Sequence, residues 1–109
     1  MDEQTFQKHA EAAIERLKRA LYKIEDAIGM DVEERGGALH ITFDDPPGTF
    51  VISPNSSARQ IWISALSTSF KLDYAESYAD FMLTSTGEPL LPLVERLLTQ
   101  QTGNAVELG

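Results

Sequence analysis

The sequence predicts an α+β two-layer sandwich, an antiparallel sheet of about six strands with the N- and C-terminal helices packed on one face. Three observations lead there. The first 28 residues carry apolar side chains at helical spacing; the middle of the chain switches to period two, broken by Gly, Pro and Asn turns; and the segment after Thr86 returns to helical spacing. Strands in one run, with no helix between successive ones, leave no crossover connection for a parallel sheet.

Residues 2 to 28 place Phe6, Ala10, Ala13, Leu17, Leu21, Ile24 and Ile28 at steps of three and four, which draws one stripe along an amphipathic helix. Asp2 or Thr5 is its start signal and Gly29 its stop, a residue suited to the left-handed position past the last turn. Met30 and Val32 then alternate with Asp31 and Glu33, Arg35-Gly36-Gly37-Ala38 forms a tight turn, and Leu39, Ile41 and Phe43 alternate with His40, Thr42 and Asp44. Two glycines accept the positive φ angles of a two-residue hairpin, so these strands are antiparallel neighbours.

Asp45-Pro46-Pro47-Gly48 is a second turn, Phe50-Val51-Ile52 a third strand, and Ser53-Pro54-Asn55-Ser56-Ser57 its break. Residues 58 to 65 form a fourth strand; 69 to 74 and 79 to 84 form a fifth and sixth, joined by a polar loop around Ala75-Glu76-Ser77. Thr86-Gly87-Glu88-Pro89 opens a second helix with Leu90, Leu91, Val94, Leu97 and Leu98 on one face. Pro89 fits its first turn and Pro92 must lie close to it, because a proline deeper in the helix would clash with the preceding turn. Gly103 stops the helix, and Val106 and Leu108 leave the tail two options, docking or fraying.

The chain of 109 residues is expected to be a single domain over 1–109, since two cores of half that size would be marginal without disulfides or metals. The absence of cysteine excludes thiolate zinc sites, cysteine-ligated clusters and a cysteine nucleophile. No apolar run reaches the roughly 18 to 20 residues of a membrane span. Met1-Asp2-Glu3 is no secretory signal, so a cytoplasmic protein without a membrane partner is expected. A net charge of −8 repels phosphate backbones, which argues against nucleic acid and favours a cation or a basic protein surface.

The catalytic inventory is thin. His9 and His40 read as surface histidines, in no spacing that suggests a metal triad or nucleophile–base pair, and no phosphate-binding glycine loop is present. Two features stand above this background. Glu25, Asp26, Asp31, Glu33 and Glu34 crowd the helix-to-strand corner with no Lys or Arg among them, and carboxylate oxygens suit hard cations. The plain alternative is a solvated acidic edge that discourages sheet-to-sheet association. In Arg59-Gln60-Ile61-Trp62-Ile63-Ser64, inward parity for Ile61 and Ile63 places the sole Trp outward with Gln60 and Ser64. An exposed indole is typical of a binding hot spot, unless the loop at 66 to 69 or the second helix's end covers it.

The strand Gln60-Ile61-Trp62-Ile63-Ser64 follows Pro54-Asn55 and precedes Asp73, the Thr86-Gly87-Glu88 turn and a Leu-rich last helix, a combination that resembles the frataxin family, particularly its bacterial members. Phe6, Ala10, Leu17 and Leu21 match the family's first helix; Gly36-Gly37-Ala38-Leu39 with Ile41-Thr42-Phe43 matches its first hairpin, so the likeness spans about residues 4 to 106. The resemblance implies a protein that is not an enzyme, binds iron (Fe²⁺ or Fe³⁺) weakly at surface carboxylates, and regulates or supplies iron–sulfur cluster assembly. It implies docking on a cysteine desulfurase and an iron–sulfur scaffold protein, and a monomer is expected.

By that analogy Glu25, Asp26, Asp31 and Glu33 form an acidic ridge with Glu11 and Glu15 further up the helix, and Asn55, Gln60, Trp62 and Ser64 form the partner face. Lys18, Arg19, Tyr22 and Lys23 depart from the acids that bacterial members tend to carry, Phe81 stands where tryptophan is usual, and the loop from Ala75 to Ala79 is about two residues longer. The alternative is a protein-interaction module of the assembly machinery whose metal binding is incidental. A ferroxidase is disfavoured, because paired buried carboxylates and Glu-x-x-His helices are missing.

Overall fold

The computed structural model describes all 109 residues. Helix α1 (Glu3–Ile28) leads into strands β1 (Met30–Arg35), β2 (Ala38–Asp44), β3 (Pro47–Asn55), β4 (Gln60–Ala65), β5 (Thr68–Ala75), β6 (Asp80–Leu83) and β7 (Glu88–Pro89), and helix α2 (Leu90–Thr102) follows. The strands form one antiparallel meander in chain order, with both helices against the sheet, the α+β sandwich that the periodicity predicts. Asp2 caps α1 by accepting the Thr5 N–H at 2.7 Å, and Gly29 closes it in the left-handed region at φ 77°.

The sheet differs from the sequence expectation in three places. Strand β3 runs through Pro47-Gly48 and Ser53-Pro54-Asn55 instead of being confined to Phe50–Ile52, so the β2–β3 turn is only Asp45-Pro46. Pro54 is tolerated because β2 pairs no further than Leu39 with Ile52, which leaves β3 a sheet edge at that point. Arg59, expected inside the fourth strand, has φ 56° and belongs to the turn before β4. Glu88–Pro89 does not open the helix; it pairs with β6 as a seventh strand, making Pro89 the N-cap and placing Pro92 third in α2, where its missing N–H has no helical partner to lose.

The core is one cluster of 26 buried residues, with no polar or charged side chain among them. Phe6, Ala10, Ala13, Leu17 and Leu21 of α1 meet Leu39, Ile41, Ile52, Ile61, Ile63 and Leu72 of the sheet, and Leu90, Leu93, Val94, Leu97 and Leu98 of α2 complete the layer. Each large side chain contributes about 1.5–3 kcal/mol by leaving water. Ile24 and Ile28, which the stripe includes, are only partly buried. The tail docks: Val106 and Leu108 are buried, their N–H groups donating to Thr99 Oγ1 at 3.1 Å and to Glu95 Oε2 at 2.6 Å. Because these apolar residues all serve one side of the sheet, the alternate positions of its strands face away from both helices.

Candidate functional site

Along the acidic corner the carboxylates have different local partners. Glu25, in the last turns of α1, accepts the Val32 N–H at 2.7 Å and so ties the helix to the outer edge of β1. Glu15 faces Lys18 at 2.8 Å and Arg19 at 3.3 Å, and the Lys18 ammonium holds its carboxyl below the ordinary glutamate range. Lys18 also reaches Glu34 at 3.3 Å, and its own pKa is raised, chiefly by Glu15. Glu33 pairs with Arg35 at 3.2 Å. Glu11, Asp26 and Asp31 form neither salt bridges nor side-chain hydrogen bonds.

The six candidate ligands therefore divide between two locations. Glu25, Asp26, Asp31 and Glu33 lie around the α1–β1 junction, whereas Glu11 and Glu15 line a groove of about 680 Å³ with Glu34, Lys8 and Gly37. No three His, Asp or Glu side chains converge as a ligand set. Hard-oxygen donors on an open surface fit a cation that keeps most of its water, and they do not make a closed cage for a resident ion.

The open face of the sheet is centred on Trp62, which is 36% exposed. Pairing of β4 with β5 sets Gln60 opposite Asp73, Trp62 opposite Lys71 and Ser64 opposite Ser69. Trp62 Nε1 donates to Gln60 Oε1 at 2.8 Å, Gln60 Nε2 donates to Asp73 Oδ1 at 3.0 Å, and Lys71 Nζ lies 4.8 Å from the indole centroid. The ring is thus held in place while part of it stays in water. Ser64 is exposed on the same face. Asn55, opposite Gln60, is partly committed to local structure, its Oδ1 accepting the Ala58 N–H at 2.9 Å in the β3–β4 turn.

A sequence model of the Frataxin-like domain matches residues 1–104. The chain belongs to the frataxin-like family. It is 32% identical over 103 residues to the iron-sulfur cluster assembly protein CyaY of Pseudomonas aeruginosa, covering 89% of this chain and 94% of that one. The corresponding CyaY of Stutzerimonas stutzeri is 31% identical over 83 residues, covering 76% and 74%. Among solved structures, frataxin from Psychromonas ingrahamii superposes with a TM-score of 0.75 at 16% identity over 100% of this chain and 99% of that one. Yeast frataxin gives 0.72 at 19% identity over 92% and 82%.

Lys71 and Asp73 join the sheet face beyond the residues that the sequence predicts for it. Both alternate with Phe70 and Leu72, so their outward parity was readable; their placement beside Trp62 and Gln60 depends on the β4–β5 register. That register is set by a two-residue turn at Leu66 and Ser67, with φ of 52° and 61° and no glycine to announce it. His9 is not a free surface histidine: its ring is half-buried and stacks on Tyr74 at 4.2 Å. Phe81, fully buried, fills its position with edge contacts to Phe6 at 5.9 Å and Tyr74 at 5.2 Å.

Proposed function

We propose that this protein serves iron–sulfur cluster assembly in the cytoplasm, without covalent catalysis of its own, by carrying iron as cargo and docking on the assembly machinery. The observation that carries this reading is the uncovered sheet face, where Gln60 and Lys71 hold the Trp62 indole ready for a partner without an ordering step. The partners it suits are a cysteine desulfurase and an iron–sulfur scaffold protein, the class of work named by the CyaY relatives.

Fe²⁺ or Fe³⁺ is held at the acidic corner through Asp26 and Asp31, with Glu25 and Glu33 contributing when their present partners yield. Weak retention suits cargo that must be handed over. Surface charge of net −8 draws the protein toward basic patches, so association slows as added salt shortens the Debye length to about 8 Å and below. An anaerobic NMR titration with Fe²⁺, repeated with the desulfurase, tests both surfaces. Iron is expected to broaden Asp26 and Asp31, and the enzyme to shift Gln60, Trp62, Ser64 and Lys71. Enzyme-induced shifts confined to the helical side would refute the docking assignment.

A second reading, an interaction module with incidental metal binding, is favoured by one observation: no three ligands converge at the corner. Asp26→Asn with Asp31→Asn separates the two. Loss of iron broadening together with loss of iron-dependent cluster formation supports the carrier; unchanged cluster formation supports the module.

A further inference from the structure

On the opposite side of the molecule from the Trp62 face, a groove of about 590 Å³ runs between α1 and the segment formed by the start of α2 and the tail. Arg16, Arg19 and Lys23 line it, three of the nine cations in a chain of net charge −8. Ala12 and the half-buried Leu91 supply its accessible apolar surface, above Ala20 and Leu108, which are buried. Glu15 is the acid at its rim, already engaged with Lys18 and Arg19.

The cations retain bonding capacity. Arg16 uses only Nη2, toward Asp80 at 3.1 Å, and Arg19 only Nε, toward Glu15 at 3.3 Å. Lys23 has no acidic partner, and the Arg19 side chain is 75% exposed. Guanidinium forks with free N–H groups match carboxylates in two-point contacts. A bare inorganic anion would satisfy the charges and leave Ala12 and the half-buried Leu91 wet, whereas a peptide with acids along one edge and aliphatic side chains along the other covers both.

We propose that this groove is a second docking surface, and that its occupant is an acidic, leucine-bearing segment of a partner protein. Because α1 and α2 lie on the far side of the sheet from Trp62, such a segment and a partner on the sheet face can be bound at once. The assignment is independent of the iron reading, since neither Asp26 nor Asp31 lines the groove.

The test is an NMR titration of the full chain with a synthetic amphipathic helix carrying Glu on one face and Leu on the other, beside a control with Lys in place of Glu. The expected result is that the Glu peptide shifts Ala12, Ala20, Leu91 and Leu108 and the Lys peptide does not. Arg19→Glu with Lys23→Glu should weaken binding about tenfold or more, as expected from reversing two exposed charge pairs. Lys23→Gln alone should weaken it less, and it serves if the double variant does not fold. Trp62→Ala should bind the peptide like the parent. Absent shifts at the groove, equal binding of the two peptides, or affinity untouched by the charge changes would overturn the proposal. So would concentration-dependent dimerisation through the same residues, detected by sedimentation.

Discussion

Glu25 distinguishes structural from metal-binding carboxylates at the corner. Its Oε2 accepts the Val32 N–H at 2.7 Å in a partly buried position, on the edge of β1 that no other strand covers. Hydrogen bonds to a charged group contribute about 1.5–3 kcal/mol, and water at an open edge partly replaces a lost acceptor, so Glu25→Ala should cost about 1–2 kcal/mol. For a domain of this size that lowers Tm by roughly 4–8 °C. Glu25→Gln removes the charge but retains a carbonyl acceptor of the same reach, so about half of the loss should be recovered. Urea unfolding of both variants gives the stabilities, and anaerobic Fe²⁺ titration of Glu25→Gln reads the second role. Broadening at Asp26 and Asp31 should survive the amide if Glu25 is chiefly an edge clamp. Two variants within about 0.3 kcal/mol of the parent, or a Gln variant as unstable as Ala, would refute the clamp.

Four further outcomes are expected. Trp62→Ala should change stability by no more than about 1 kcal/mol, because the ring is partly in water, while desulfurase binding measured by calorimetry falls at least tenfold. Ser67→Gly should stabilise by about 0.5–1 kcal/mol in urea unfolding, since a non-glycine residue at φ 61° is strained and glycine is not. Leu108→Ala should cost about 2 kcal/mol, the low end for a core leucine at the periphery, and hydrogen exchange should quicken at Val106 and Leu108.

Arg96 hydrogen-bonds Glu88 at 2.7 and 2.9 Å and lowers its pKa. A folded-state pKa below the unfolded one stabilises above the unfolded value of about 4.3, and that stability is lost as pH falls through the folded pKa. Glu88→Gln should therefore flatten the acid limb of the stability profile and, with partial exposure screening the pair, cost only about 0.5–1 kcal/mol at neutral pH.

Much of the fold was legible because each element announces its own period. The α1 stripe fixed a helix ending at Gly29, and alternation in β2 and β4 fixed which side chains point inward, Trp62 outward among them. Prolines are not legible where their tolerance depends on a neighbour: Pro54 reads as a breaker, yet it pairs with Ile61 of β4 because the short β2 leaves its other side open, and Pro89 reads as helical, yet β6 offers it a strand partner. The acidic corner was legible as composition only. Nothing local states that Glu25 reaches Val32 or that Lys18 joins Glu15 to Glu34, because those bonds depend on how α1 is set against β1.

By itself, then, the sequence determined the class of the sandwich, the side of the sheet each strand residue faces and the two surfaces where charge and an indole collect, since all of these follow from spacing along one chain. The tertiary structure alone decided which carboxylates remain unpaired, that Lys71 and Asp73 flank the Trp62 face, and that three cations share a groove with Leu91 and Leu108. These are contacts between segments distant in sequence, and register and helix placement create them without leaving a local signature in either segment.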